Sequence, residues 1–418
     1  MSSPVASTTR PLVAVAQMRT TNEHARNFET VSALARAAKQ RGASMLLLPE
    51  AFAFLGNHFT ETVAQAEPIP PISRTFATGV SQHPPFSAEQ QNSSWISKYL
   101  RLAREHGMWL SLGGYHERPA AASDIKTGAG SVGFDKLKNS MDEEPSAAAP
   151  PDQTSATTKQ TRASEEAKTT SVEQNASTRD QVEERPQVEK VYNTHLIVDD
   201  SGAIRALYRK IHLFDVAIPN GPVLLESRYT IPGCFSSDNV IVVPDTPIGN
   251  IGLTTCYDLR FPELYTTLRE RGAEVLLVPS AFTVPTGRAH WHLLLQARAV
   301  ETQCFVLAAA QCGRHNEKRE SFGHALAVGP WGDVLADAGS DVDVKLKNTG
   351  AGEGISSSKG FEREGDVNSS RARVGTVIDV TEDSCFCLAE LDRGEMTKIR
   401  EKMPIMQHRE AAGFFPRL

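Results

Sequence analysis

Residues 250–280 read "NIGLTTCYDLRFPELYTTLRERGAEVLLVPS", and the fold class turns on this stretch. It starts as an apolar strand, bends through a short polar turn and enters a helix at Phe-Pro-Glu, where proline suits the first turn. It ends in a second buried strand, "AEVLLVPSAF". Strand, helix, strand in thirty residues is a β-α-β unit. Similar units lie on both sides. "PLVAVAQM" is a strand, "NEHARNFETVSALARAAKQRGA" has apolar residues at helical spacing, and "SMLLLPE" is a buried strand. "SWISKYLRLAREHG" reads as a helix, and "MWLSLGGYHE", "CFVLAAAQC" and "HALAVGPWG" as strands. "KVYNTHLIVDD", the turn Ser201-Gly202 and "AIRALYRKIH" read as a hairpin. Repeated β-α units with hairpins predict an α/β fold, a large mixed sheet system covered by helices.

The bulk composition excludes several classes. The chain has 418 residues and a net charge of -6, with 40% apolar and 22% charged residues, so it lacks the basic footprint that nucleic acid demands. Its longest apolar runs are far too short to span a bilayer, and the first residues lack the apolar core of a secretory signal. The six cysteines, at 234, 256, 304, 312, 385 and 387, show no CxxC pairing, which fits neither a zinc ribbon nor a disulfide framework. A reducing cytoplasm is expected. Cys385 and Cys387 alternate along a strand and are read as packing residues.

Three stretches, at about 69–93, 119–187 and 339–373, are polar and nearly free of aromatic residues. They bury too little apolar surface to offset the entropy of ordering and are read as disordered loop insertions. Without them roughly 280 to 300 residues remain, a size that one α/β domain over residues 10–418 can absorb.

Three polar residues stand where apolar strands end: Glu50 after "MLLLP", Lys210 after "ALYR", and Cys256 after "IGLTT". In α/β sheets, functional groups gather at the carboxyl edge. Taken singly, the cysteine is by default a buried packing residue and the two charges are surface residues. Taken together, a thiol, a carboxylate and an ammonium make an apparatus for acyl transfer. Lys210 and the amides of the following helix would favour thiolate. Lys210 and the backbone N–H of Tyr257 would hold an oxyanion, and Glu50 would move the proton. No histidine is needed.

The wording around these residues carries more weight than their types. "LLLPEAF", "YRKIHLFD" and "CYDLRFPELY" together resemble the nitrilase (carbon–nitrogen hydrolase) superfamily. "SAFTVPTGRAHWHLLLQARAVETQCFVLAAAQCGRHNEKRESFGHALAVGPWG" is most similar to its deaminated glutathione amidase branch. The resemblance implies a four-layer αββα sandwich, a homodimer formed through helices, and no metal or organic cofactor. It also implies Cys256 as nucleophile, Glu50 as base, Lys210 as proton donor or oxyanion holder, and Glu226 as a second glutamate orienting the lysine and substrate. The implied reaction is hydrolysis of deaminated glutathione to 2-oxoglutarate and cysteinylglycine. An ω-amidase or an N-carbamoyl amide hydrolase would use the same residues, and a catalytically silent binding scaffold is the alternative from another class.

Two positions depart from the family's usual pattern, His292 in place of glutamate and Gln296 in place of arginine. His290 and His292 are two apart on a predicted helix, so they face apart and make a poor metal pair. An Arg260–Glu263 ion pair is expected to brace the turn after Cys256. Arg314, His315, Lys318 and Arg319 form a basic run that is by default a solvated loop. A peptide-like acid as substrate needs cationic partners for its carboxylates, which makes Arg314 and Arg319 candidates for binding them.

Overall fold

The computed structural model describes residues 10–70, 94–119, 189–217, 223–340, 363–364 and 375–413. Nearly all of the three predicted insertions lies outside these residues. Among them, the strand sequences build two large sheets. The first follows the path Arg363–Glu364 (β16), Val377–Thr381 (β17), Ser384–Glu390 (β18), Leu12–Met18 (β1), Met45–Leu48 (β2), Trp109–Glu117 (β3), Tyr192–Val198 (β4) and Ile204–Arg209 (β5). Ala310–Arg314 (β12) joins β1 at its far end and pairs with Glu320–Phe322 (β13). The second sheet runs Val334–Asp337 (β15), Leu326–Val328 (β14), Phe305–Ala308 (β11), Val275–Leu277 (β10), Gly249–Leu253 (β9) and Val242–Thr246 (β8). A small hairpin, Asp215–Ala217 (β6) with Val223–Leu225 (β7), stands apart.

Alternation along each strand assigns the layers. In β1, Val13 and Val15 enter the core shared with the second sheet, while Ala14, Ala16 and Met18 pack on helices. Those helices are His24–Gln40 (α1) and Trp95–His106 (α3), which bury Val31, Leu34 and Ala38, and Ile96, Tyr99 and Leu102. Ser94 caps α3, its side chain accepting from Ser97 N, and the helix ends at Gly107 in a left-handed conformation. Between α1 and α3 lies the short helix Phe59–Gln65 (α2). Pro262–Glu270 (α4) and Val284–Thr302 (α5) cover the second sheet and contribute Leu264, Leu268, Trp291 and Leu295 to its core. Helix, sheet, sheet, helix is the predicted order. Cys385 and Cys387 face the inter-sheet core while Phe386 and Leu388 face the helices, as their alternation required. The helices Arg393–Lys402 (α6) and Ile405–Ala411 (α7) follow β18.

Candidate active site

Glu50 lies two residues beyond β2, Lys210 directly after β5, and Cys256 three residues beyond β9. The first two strands belong to one sheet and the third to the other, so the site forms where the ends of both sheets meet. Lys210 Nζ donates to Glu50 Oε1 at 2.9 Å and to Glu226 Oε1 and Oε2 at 3.0 and 2.9 Å. The Cys256 thiol and Glu50 act on one another, each shifting the other's proton affinity. Glu50, Lys210 and Cys256 are 7, 2 and 9% exposed, so little solvent dilutes their interactions. Lys210 thus lies between two carboxylates, Glu50 and Glu226, with Cys256 close to the first.

Two further donors were missed. Asn193 Nδ2 donates to Glu50 Oε1 at 2.9 Å and to Glu226 Oε1 at 3.5 Å, and Phe214 N–H donates to Glu226 Oε2 at 2.7 Å. Their only sequence signal is faint: Asn193, Thr194 and His195 form a polar run in β4, every residue of which is buried. Asn193 Oδ1 is buried with no partner. Gly114 sits at φ +65, and a Cβ there would come within 2.8 Å of Glu50 Cγ and 2.9 Å of Asn193 Oδ1. Glycine is the residue that leaves room for both.

The backbone at Cys256 is strained. Cys256 has φ +47, in a region that costs a non-glycine residue about 1–3 kcal/mol and recurs at active sites. Its N–H donates to Pro279 O at 2.9 Å. It opens a 3-10 turn, Cys256–Arg260, and α4 begins only at Pro262, so the expected direct placement at an α-helix N-terminus is corrected. The fully buried Asp258 fixes the turn. Its Oδ2 accepts from Thr255 N at 2.9 Å and Tyr208 Oη at 2.6 Å; its Oδ1 accepts from His212 N at 3.0 Å and His212 Nδ1 at 2.7 Å. The predicted Arg260–Glu263 pair is absent from the ion pairs of the described residues. Arg260 instead meets His290 Nδ1 at 3.4 Å.

Electrostatics corrects the thiolate expectation. Burial pushes the Cys256 thiol well above its ordinary value, Glu50 adds to the push, and Lys210 opposes it without prevailing. Burial alone would raise Glu50, but the Lys210 ammonium and the bonds from Cys256 and Asn193 hold it below the usual carboxylate value. Burial would lower Lys210, yet Glu226 and Glu50 raise it well above the usual amine value. The resting set is therefore thiol, carboxylate and ammonium. His116 adds a half-buried neutral imidazole, pushed down to about 4 by desolvation against the opposing charge of Glu50.

The basic run splits on inspection. His315 is a strut, its Nδ1 2.9 Å from Thr20 O and its Nε2 2.8 Å from Ser321 Oγ. Arg314 is exposed at the end of β12, where its carbonyl accepts from Arg19. The charge of Arg319 acts on His116 and Tyr229, which also feel Glu50 and Lys210. The charge of Arg319 thus reaches two groups that also feel the site, and no such coupling links Arg314 to it among the described residues. The two unusual positions point elsewhere: His292 Nε2 meets Asp337 Oδ2 at 3.0 Å, and Gln296 Nε2 donates to Gly332 O at 2.8 Å.

Residues 12–139 and 143–344 match the Carbon-nitrogen hydrolase family. The chain is 33% identical to human deaminated glutathione amidase over 399 residues, covering 96% of this chain and 82% of that protein. The crystal structure of Caenorhabditis elegans NitFhit superposes with a TM-score of 0.60 at 31% identity, over 98% of this chain and 67% of that one. That of Saccharomyces cerevisiae Nit3, a member of branch 10 of the nitrilase superfamily, gives 0.56 at 20% identity, over 95% of each chain, a likeness of fold.

Proposed function

The chain belongs to the carbon–nitrogen hydrolase family, and we propose that it is an amidase acting on deaminated glutathione, releasing 2-oxoglutarate and cysteinylglycine. The observation that carries the chemistry is the shared contact of Glu50 with the Cys256 thiol and the Lys210 ammonium. Glu50 removes the thiol proton as Sγ attacks the amide carbonyl carbon. Lys210 Nζ and the Tyr257 N–H hold the resulting oxyanion. The intermediate collapses, the C–N bond breaks, and Glu50 returns the proton to the departing amine. Water, deprotonated by Glu50, then attacks the thioester, which frees the acid and restores the thiol. Glu226 keeps Lys210 charged and aimed. A firmly protonated Lys210 suits the oxyanion role better than that of a proton donor.

Arg319 supports the choice of an acidic substrate, since its charge reaches His116 and Tyr229, which also feel Glu50 and Lys210. No helix of the described residues is long and apolar enough to cross a membrane. We place the protein in the cytoplasm on its six cysteines, which form no disulfide with one another. We place a homodimer contact on the face of α5 where Leu293 and Val300, 66 and 45% exposed, lie two turns apart beside Trp331, 62% exposed.

One experiment tests the reading: kcat/KM for deaminated glutathione, 2-oxoglutaramate and an N-carbamoyl amino acid, with wild type, Cys256→Ala and Arg319→Ala. Deaminated glutathione should be preferred, and Cys256→Ala should lower turnover by a factor on the order of 10³ or more while remaining folded. Arg319→Ala should raise KM about tenfold for deaminated glutathione and leave a neutral amide unaffected. Substantial hydrolysis by Cys256→Ala would refute the nucleophile. A preference for 2-oxoglutaramate would make the protein an ω-amidase.

A further inference from the structure

A second cluster of ionisable side chains lies outside the reactive group. His292 comes from α5, His324 from the segment ahead of β14, and Asp337 from the end of β15. Their ligating atoms all lie within 4.8 Å of one another. His292 Nε2 is 3.0 Å from Asp337 Oδ2, and His324 Nδ1 is 3.1 Å from that same oxygen and 2.9 Å from Oδ1. We propose that His292, His324 and Asp337 form a binding site for a divalent ion of the zinc class, distinct from the amidase centre.

The donor set carries the choice of ion. Two imidazoles and a carboxylate suit zinc and its transition-metal neighbours, whereas magnesium and calcium take oxygen. A tetrahedral ion with bonds of about 2.0–2.1 Å holds its ligands about 3.3 Å apart. Both nitrogen–oxygen separations are already near that edge, so the ion enters by replacing the shared hydrogen bonds and releasing their protons. The surroundings look built. Gly339 N–H donates to Asp337 Oδ1 at 2.8 Å, which leaves Oδ2 facing the imidazoles. His324 adopts φ +58, a strained conformation, with its N–H on Gly339 O at 3.0 Å and its carbonyl accepting the Trp291 indole N–H at 2.8 Å. Phe322 stacks on its ring at 4.6 Å. His292 is half-buried, which leaves a path for the ion and a coordination position for water. His290 takes no part, since the partners of His292 come from β15 and the segment ahead of β14. A bound ion would clamp α5 to the β14–β15 pair.

The test uses the full-length chain, freed of metal with a chelator and titrated with Co(II) under visible spectroscopy. One Co(II) should bind per chain with nitrogen–oxygen d–d bands and no thiolate charge-transfer band, and Cys256→Ala should behave identically. His292→Gln and Asp337→Asn should each weaken binding by more than about tenfold, the loss that even an outer-shell partner causes. Zn(II) should raise the Tm of wild type and leave that of His292→Gln unmoved. Because His292 lies half-exposed on a helix, His292→Gln is the variant that keeps its fold, checked by its melting curve. No Co(II) uptake by wild type, undiminished uptake by His292→Gln, or a thiolate band that vanishes in Cys256→Ala would each overturn the proposal.

Discussion

Between Glu50 and Cys256 the proton stays on sulfur, and the reason is competition between neighbouring charges. A thiolate beside Glu50 in a buried site would place two anions against one ammonium already bonded to Glu226. The thiol therefore waits for a base, unlike thiols that titrate at neutral pH. This fixes the expected pH dependence. Glu50 is held below its ordinary carboxylate value, so it stays ionised as pH falls through the range where a free glutamate titrates. kcat/KM should be flat between about pH 5 and pH 8, with the acidic limb below about 4.5. The sign for stability is the same: a depressed carboxylate stabilises the fold above its unfolded value and loses that contribution as pH falls through its folded one. A kcat/KM profile with an acidic limb near pH 6 to 7 would contradict a pre-ionised Glu50 and point to a histidine instead.

At the level of elements, the decisive piece is the 3-10 turn Cys256–Arg260, which the apolar pattern shows only as a gap between strand and helix. Asp258 ties that turn to both sides of Lys210 through Tyr208 and His212, so one carboxylate holds the Cys256 turn of one sheet against the lysine of the other. Asp258→Ala strands buried donors on Tyr208 and Thr255. Each costs ~1–3 kcal/mol, so urea unfolding should show a loss of about 2–6 kcal/mol. Turnover should fall under conditions where the variant is still folded, with KM little changed, because the strain at Cys256 would relax. An unaltered midpoint and full kcat would remove Asp258 from its positioning role. The expected ion pair Arg260–Glu263 failed because local helix spacing says nothing about the long-range partners that won: His290 for Arg260, and Asp258 as the brace.

On the scale of the whole molecule, α5 has two sides with different work. Trp291, Leu295 and Ala299 are buried against the second sheet, while Leu293 and Val300 face outward next to the Trp331–Gly332 turn, where Gly332 approaches Val300. If two copies meet there, Leu293→Asp should sediment as a monomer where wild type sediments as a dimer; equal masses would dismiss that interface. The α/β class and the order of layers were legible in the chain, which also names Glu50, Lys210 and Cys256 as the groups that the fold then brings near one another. Strand alternation, helical periodicity and the wording around each site residue are local properties. Asn193, Asp258 and the His292–His324–Asp337 cluster were not legible, for each depends on which strand lies beside which. The protonation state of Cys256 likewise depends on burial and on two charges brought in from distant segments. Chain order names the chemical groups, but their distances and the solvent excluded around them decide which one holds the proton, and only tertiary packing sets those.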